Sequence, residues 1–365
     1  MLYIPVNEKT PAVGLHEAVV RGIAPDGSLY LPVSLPTIPR AFFNNISAMT
    51  LPEIGYVVAN MLFGSDIPSA SIKSMVESAL DFEIPFVENE PNRFTLDLTH
   101  GPTNNYNDIS ARFMARYVEM TRQREQINVI VATSDNVGNA VADAFAPLDG
   151  VSTFVIYPTG ALSDCRRSNL LDYGSQIVPI EVGATFHECQ SLTRDMILSS
   201  QNNSNIPLLA ANSVNIAILF PRVIYFFYAY ARLAALNRPL DKVVIATPTE
   251  NLGNATAAVI ASKMGLPVSR FMAILTNDLD ATDIVNESRL VSLMKNDKNR
   301  VNLASPETSP LTDDEISITF KIDDPGLCRI KPNIKGHQRQ RVTHIGPSLP
   351  ALTRLINEHN RKNFV

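Results

Sequence analysis

Short apolar runs and helically spaced apolar positions alternate along most of this chain. Residues 94–98 alternate apolar and polar side chains, as a half-buried strand does. Residues 128–132, 152–157 and 177–182 are short runs rich in β-branched residues. The second half repeats the pattern at 242–246 and 270–275. Helical spacing follows two of these runs, at 139–145 and 254–264. Strands without a polar face, separated by helices, predict parallel sheets covered on both sides.

The first 90 residues read differently, as helices with proline-rich joints. A short helix is predicted at 15–21 and another at 71–80. Thr50 before Leu51-Pro52-Glu53 is an N-cap followed by an early proline, and apolar spacing continues from Ile54 to Leu62. Beyond about residue 280 the signal fades. Residues 294–300 are polar, 305–312 read as a proline-containing loop, and 317–322 as a strand. The basic stretch 330–341 reads as a solvated loop, and 349–359 as a terminal helix. The expected organisation is an N-terminal region at 1–90, a first α/β domain at 91–210, a second at 211–300, and a C-terminal segment at 301–365.

Composition changes this picture little. At 365 residues the chain is long enough for two domains with a sizeable core. Hydrophobic residues make up 45% and charged residues 18%, an ordinary soluble balance. A formal net charge of -5 gives no electrostatic case for nucleic acid or an anionic membrane. Residues 216–236 match a membrane span in length. They contain Pro221, Arg222 and Arg232, so they read as a buried helix. Cys165, Cys189 and Cys328 are far apart with no CxxC, so neither a disulfide framework nor a zinc site is expected. No secretory leader is visible at Met1, and the expected compartment is cytoplasmic.

The densest chemistry lies at His100-Gly101-Pro102-Thr103, then Tyr106-Asn107-Asp108, then Arg112-Phe113-Met114. This run resembles the signature of threonine synthases, where His-Gly-Pro-Thr precedes an aromatic, a lysine and an aspartate. The resemblance implies a pyridoxal-phosphate enzyme of fold type II, with two parallel-sheet α/β domains of the tryptophan-synthase-β-like kind. It also implies conversion of phosphohomoserine to threonine. In that family the lysine holds the cofactor as a Schiff base; here the position is Asn107. An amide nitrogen is delocalised and non-nucleophilic, so it neither forms an imine nor acts as a base near neutral pH. No lysine lies between Lys73 and Lys242 to replace it.

Two further turns carry the same resemblance. Pro248-Thr249-Glu250-Asn251-Leu252-Gly253-Asn254 follows a predicted strand and opens a helix, a suitable anion cradle. The family has Pro-Ser-Gly-Asn-Phe-Gly there, so Glu250 stands at a glycine. Its carboxylate opposes a phosphate and suits a self-capped turn. Thr133-Ser134-Asp135-Asn136-Val137-Gly138 resembles Thr-Ser-Gly-Asp-Thr-Gly, the family's substrate loop, with Asp135 at the glycine. A capped helix start is the plain alternative. Shorter matches run from about residue 15 to 280, including Leu15 to Val19, Asn212-Ser213-Val214-Asn215 and Gly265-Leu266-Pro267-Val268. Thr343-His344-Ile345-Gly346-Pro347 only loosely echoes the family's C-terminal motif.

The expectation is a threonine-synthase-like chain with the parent reaction abolished, acting as a binding or regulatory paralogue. No catalytic residue and no bound cofactor are expected, and no metal. The degenerate phosphate loop is Thr249, Glu250, Asn251, Leu252 and Gly253. The degenerate substrate loop is Thr133, Ser134, Asp135, Asn136 and Gly138, with His100 and Asp108 in the cleft. Expected partners are an active paralogue or a second copy of the chain, with a small anionic or amino-acid ligand. The rival expectation is an active family lyase holding pyridoxal phosphate unusually. A second rival is lysine-free chemistry with Asp108, Asp135, Glu250 or His100 as acid and base.

Overall fold

A computed structural model describes the chain except residues 123–124, 135, 204–205, 250, 276–284, 296–302, 305–309, 325–326, 329–340 and 364–365. Two sheets dominate. The first has the order Thr343–Ile345, Ile177–Val182, Val151–Pro158, Ile127–Ala132, Leu208–Ala210, and every pairing is parallel. Ile127–Ala132 and Val151–Pro158 are buried at every position, as suits predominantly apolar strands covered on both faces. The second has the order Leu303–Ala304, Arg270–Leu275, Val243–Thr249, Ile316–Lys321, Arg93–Asp97, Phe86–Glu90. Only its edge strand Phe86–Glu90 is antiparallel. Helices cover these sheets, so the α/β class read from the sequence holds.

The expected boundaries at 91–210, 211–300 and 301–365 do not follow sheet membership. Arg93–Asp97 pairs with Ile316–Lys321 in the second sheet, not with the strands that follow it in sequence. Thr343–Ile345 returns to the first sheet beside Ile177–Val182. Local pattern reveals a strand but not its neighbour, because pairing is a long-range choice. The N-terminal region also contains a small antiparallel sheet absent from the sequence reading, with Leu2–Pro5 between Val13–Gly14 and Tyr30–Pro32. The predicted helices there are present. Thr50 and Glu53 form a reciprocal capping box at the start of Leu51–Phe63. The basic stretch 330–341 lies outside the described residues except Arg341, as do most of 294–300 and 305–312.

The apolar stretch Ile216–Ala234 has the length and composition of a membrane span, yet 89% of it is buried inside the protein. It is not one continuous helix. Ile216–Leu219 passes through a 3-10 turn, Phe220–Arg222, into Val223–Ala234. Pro221 lacks an amide hydrogen and favours this break. Arg222 ends this 3-10 turn and is buried in the core.

Asp108 opens the helix Asp108–Thr121 and organises the turn before it. Its carboxylate accepts from the Thr103 amide at 2.9 Å, the Asn105 amide at 3.4 Å and the Thr103 hydroxyl. A Cβ on Gly101 would lie 2.4 Å from Asp108 Oδ2, so only glycine fits there. Burial pushes the Asp108 carboxyl up to about 6 despite these donors.

No disulfide framework is present among the described residues, but one bridge is, which the cysteine spacing did not anticipate. Cys165 and Cys328 are joined by a disulfide across 163 residues, with Cα atoms 6.2 Å apart. Sequence spacing could not reveal it, because the fold alone brings the helix Asp164–Leu171 to the segment after Ile316–Lys321. Arg166 and Asp323 pair beside it at 3.3 Å. Cys189 is free and buried.

Two measurements test these features. Thiol titration of the denatured, unreduced chain should find one thiol, Cys189; three would remove the bridge. The raised Asp108 value means that the folded chain binds this proton more tightly than the unfolded one. Its stabilising contribution is therefore present below about pH 4 and lost as pH rises toward 6, by about 3 kcal/mol. Urea unfolding from pH 4 to 7 should show this limb, and Asp108→Asn should flatten it. An unchanged slope in the variant would assign the limb elsewhere.

Candidate functional site

Parallel α/β sheets offer their ligand sites beyond the carboxyl ends of the strands, where strand-to-helix turns gather. Here the turns after Ile127–Ala132 and Val243–Thr249 gather with the turn before Asp108–Thr121. Arg222 joins two of them. One guanidinium nitrogen donates to Asn107 Oδ1 at 2.7 Å, and the other terminal nitrogen donates to Asn254 Oδ1 at 3.3 Å. The guanidinium lies 5.0 Å from the centre of the Tyr106 ring. Arg222 is 4% exposed, and its Nε has no hydrogen-bond partner among the described residues. Among those residues no carboxylate pairs with it. A buried charge without a counter-ion costs several kcal/mol, and an anion beside the guanidinium would offset that cost.

Asn107 is engaged at both ends of its amide. Its Nδ2 and its backbone amide each donate to Asn105 Oδ1 at 2.8 Å, which leaves Oδ1 to face Arg222. Side chain 107 therefore carries no amine, but a guanidinium lies against it. Lys242 does not substitute: it pairs with Asp314 at the entry of its strand, opposite the end where the turns gather. Lys263 sits in the last turn of Gly253–Lys263, remote from the start of that helix.

The turn into Gly253–Lys263 is tightly held. Leu252 adopts a left-handed conformation, φ 58°, which a side chain seldom takes without support. Asn251 Oδ1 accepts from the Gly253 amide at 3.0 Å, and the Asn251 carbonyl accepts from Asn286 Nδ2 at 3.2 Å. A Cβ on Gly253 would lie 2.7 Å from an Arg222 nitrogen, so glycine makes room for the guanidinium. Thr249 ends its strand, and Glu250 lies outside the described residues. The buried Arg289 supports the turn from behind. It donates to the carbonyls of Tyr30, Ser213 and Val214 and to Asn286 Oδ1. Burial pushes its value down to about 9, which leaves it cationic at neutral pH.

The turn at 133–138 meets the His-Gly-Pro-Thr turn through Asn136, whose Nδ2 donates to the Thr103 carbonyl at 2.8 Å. Thr133 is buried and its hydroxyl accepts from the Gly138 amide at 3.2 Å. A Cβ on Gly138 would lie 2.7 Å from both Thr133 and Val155. Ser134 is exposed, and Asp135 lies outside the described residues. Asn139, one turn on, is buried, and neither amide atom has a partner among the described residues. It lines a cavity of about 10 Å³ with Thr103, Asn104, Asn136 and Cys328. That is room for one water.

The structure separates the two proposed cleft acids and bases. His100 is half-exposed and 3.5 Å from Asp97. Asp108 is buried and its oxygens are held by Thr103 and Asn105. The sequence reading missed Arg222, Asn254, Asn286 and Arg289. The signal for Arg222 was present: a charge beside proline in the most apolar stretch of the chain.

Comparison with known proteins agrees across the chain. Residues 2–80 match the family model for the threonine synthase N terminus. Threonine synthase from Haemophilus influenzae is 33% identical over 261 residues, covering 72% of this chain and 60% of that protein. The one from Saccharomyces cerevisiae is 29% identical, covering 88% of this chain and 65% of that protein. This chain thus spans about three fifths of the length of these curated relatives. The crystal structure of threonine synthase from Escherichia coli superposes with a TM-score of 0.86 at 21% identity, covering 98% of this chain and 100% of that one. A threonine synthase from Brucella melitensis, described as bound to pyridoxal phosphate, superposes at 0.81 and 20% identity, covering 99% of this chain and 100% of that one. That likeness overturns the expectation of no cofactor, and pyridoxal phosphate becomes the group to fit. The glycine-opened helix and the unpaired Arg222 suit its phosphate; Asn107 does not suit its covalent attachment. Local motifs, overall similarity and the two-sheet fold converge: the chain belongs to the threonine synthase family.

Proposed function

We propose that this chain is a threonine-synthase-family protein that holds pyridoxal phosphate without a lysine link. In this reading it no longer converts phosphohomoserine to threonine and serves as a binding or regulatory paralogue. The carrying observation is Asn107, whose amide is bound by Asn105 on one side and Arg222 on the other. Bound pyridoxal phosphate supplies an electron sink. The chain must itself supply the group that moves protons, and position 107 offers none. Asp108 is held by its own turn, and His100 lies beside Asp97. Asp135 and Glu250, where the family has glycines, weigh the same way. We place the protein in the cytoplasm, paired with an active paralogue or a second copy of itself.

The rival reading is an active lyase of the family, which the likeness to threonine synthases favours. It requires an amine from another lysine or a base from another side chain.

One set of assays separates the two. The full chain is incubated with pyridoxal phosphate, dialysed, scanned in the visible, reduced with borohydride and mapped by peptide mass. Phosphohomoserine is then supplied and free threonine measured. We expect retained cofactor, no reduced lysine adduct and no threonine. Threonine release, or a borohydride-fixed adduct on any lysine, would sink the proposal in favour of the lyase.

A further inference from the structure

Arg222 enters none of the roles that the family resemblance supplies, yet it is the group in contact with side chain 107. It arrives from a different element, the 3-10 turn Phe220–Arg222, placed by the break at Pro221. Its reach spans the two turns: Asn107 Oδ1 at one end and Asn254 Oδ1 at the other. A cation next to Asn107 and a cation on side chain 107 would share the same space at hydrogen-bond distance. Two like charges at that separation repel strongly in a partly buried setting.

We propose that Arg222 has taken over the cleft's positive charge from position 107, and that its guanidinium holds a phosphate monoester ionically where a lysine would hold its ligand covalently. The inference deepens the function proposed above and rests on it for the identity of the ligand. Three observations converge on a phosphate dianion rather than a neutral ligand. Arg222 has no acidic partner among the described residues and an unsatisfied Nε. It points at the first residue of an eleven-residue helix, where backbone amides and the helix dipole favour an anion. Arg289, a second cation without a described carboxylate partner, lies behind the same turn through Asn286 and Ser213. Guanidinium is also the side chain best matched to phosphate oxygens. The phosphate could belong to pyridoxal phosphate or to a free phosphorylated substrate, and the test keeps these apart.

The test has a charge arm and a ligand arm. In the charge arm, Asn107→Lys and Asn107→Met are compared by thermal unfolding in the wild-type and Arg222→Met chains. Lysine and methionine are similar in length, so their difference reports charge. We expect lysine to melt several degrees below methionine beside Arg222, and the gap to close in Arg222→Met. An equal gap in both backgrounds overturns the exchange. If Arg222→Met does not fold, Arg222→Gln replaces it in the same cycle.

In the ligand arm, pyridoxal phosphate binding is measured by equilibrium dialysis at two salt concentrations. Melting shifts are read with inorganic phosphate and with phosphohomoserine. Arg222→Met should weaken the bound phosphate compound at least tenfold and reduce its salt dependence, and Arg222→Lys should restore part of the affinity. Unchanged affinity in Arg222→Met overturns the anchoring role. A response to phosphohomoserine but not to pyridoxal phosphate would sink the cofactor reading above while supporting Arg222. A wild-type chain that responds to none of the three overturns both.

Discussion

The buried guanidinium of Arg222, set among amides rather than carboxylates, is the constraint around which the site is arranged. Its nitrogens fix the rotamer of Asn107 and contact Asn254. A Cβ at position 253 would crowd its guanidinium. Its own position depends on Pro221, which interrupts an otherwise continuous apolar helix. Removing such a charge from water costs several kcal/mol, and amide oxygens offset only part of that. The remaining imbalance is what an anionic ligand would relieve.

The scaffold is built to tolerate this. The helix Val223–Ala234 packs its aromatic face into the second sheet, with Phe226 against Phe271 and Phe320. Tyr225 donates to the Tyr106 carbonyl at 3.0 Å, which ties the same helix to the turn holding Asn107. Arg289 reaches from the helix Glu287–Met294 to the N-terminal sheet at Tyr30 and to the loop at Ser213. Core packing and polar contacts thus hold the three turns from several directions. A strained left-handed Leu252 persists because its neighbours over-determine it.

The polar residues of the His-Gly-Pro-Thr turn divide into two kinds. Asp108, Thr103 and Gly101 make the turn itself, through hydrogen bonds internal to it. Asn107 reaches outward to Arg222, and the Thr103 carbonyl receives Asn136 from the neighbouring turn. A residue that resembles a family motif can therefore be retained for the shape of the loop rather than for chemistry. Asp108 is the clearest case, since its acid group has no free oxygen to offer a substrate.

Most of the strands and helices were legible from apolar runs and helical spacing, because those patterns record local burial. Ile177–Val182 and Arg270–Leu275 match their predicted bounds, and the Thr50 cap is where its side chain and Glu53 require it. The order of residues around 100–114 also sufficed to mark the family, and Asn107 to mark a missing amine. Other features needed the folded chain. The pairing of Arg93–Asp97 with Ile316–Lys321, the Cys165–Cys328 bridge and the meeting of Arg222 with Asn107 each join residues over a hundred positions apart. No local pattern encodes such a contact; it exists only once the sheets and helices have fixed the path of the chain. The sequence by itself determined which chemical group position 107 lacks. Only the tertiary structure decided that a cation from elsewhere stands beside it.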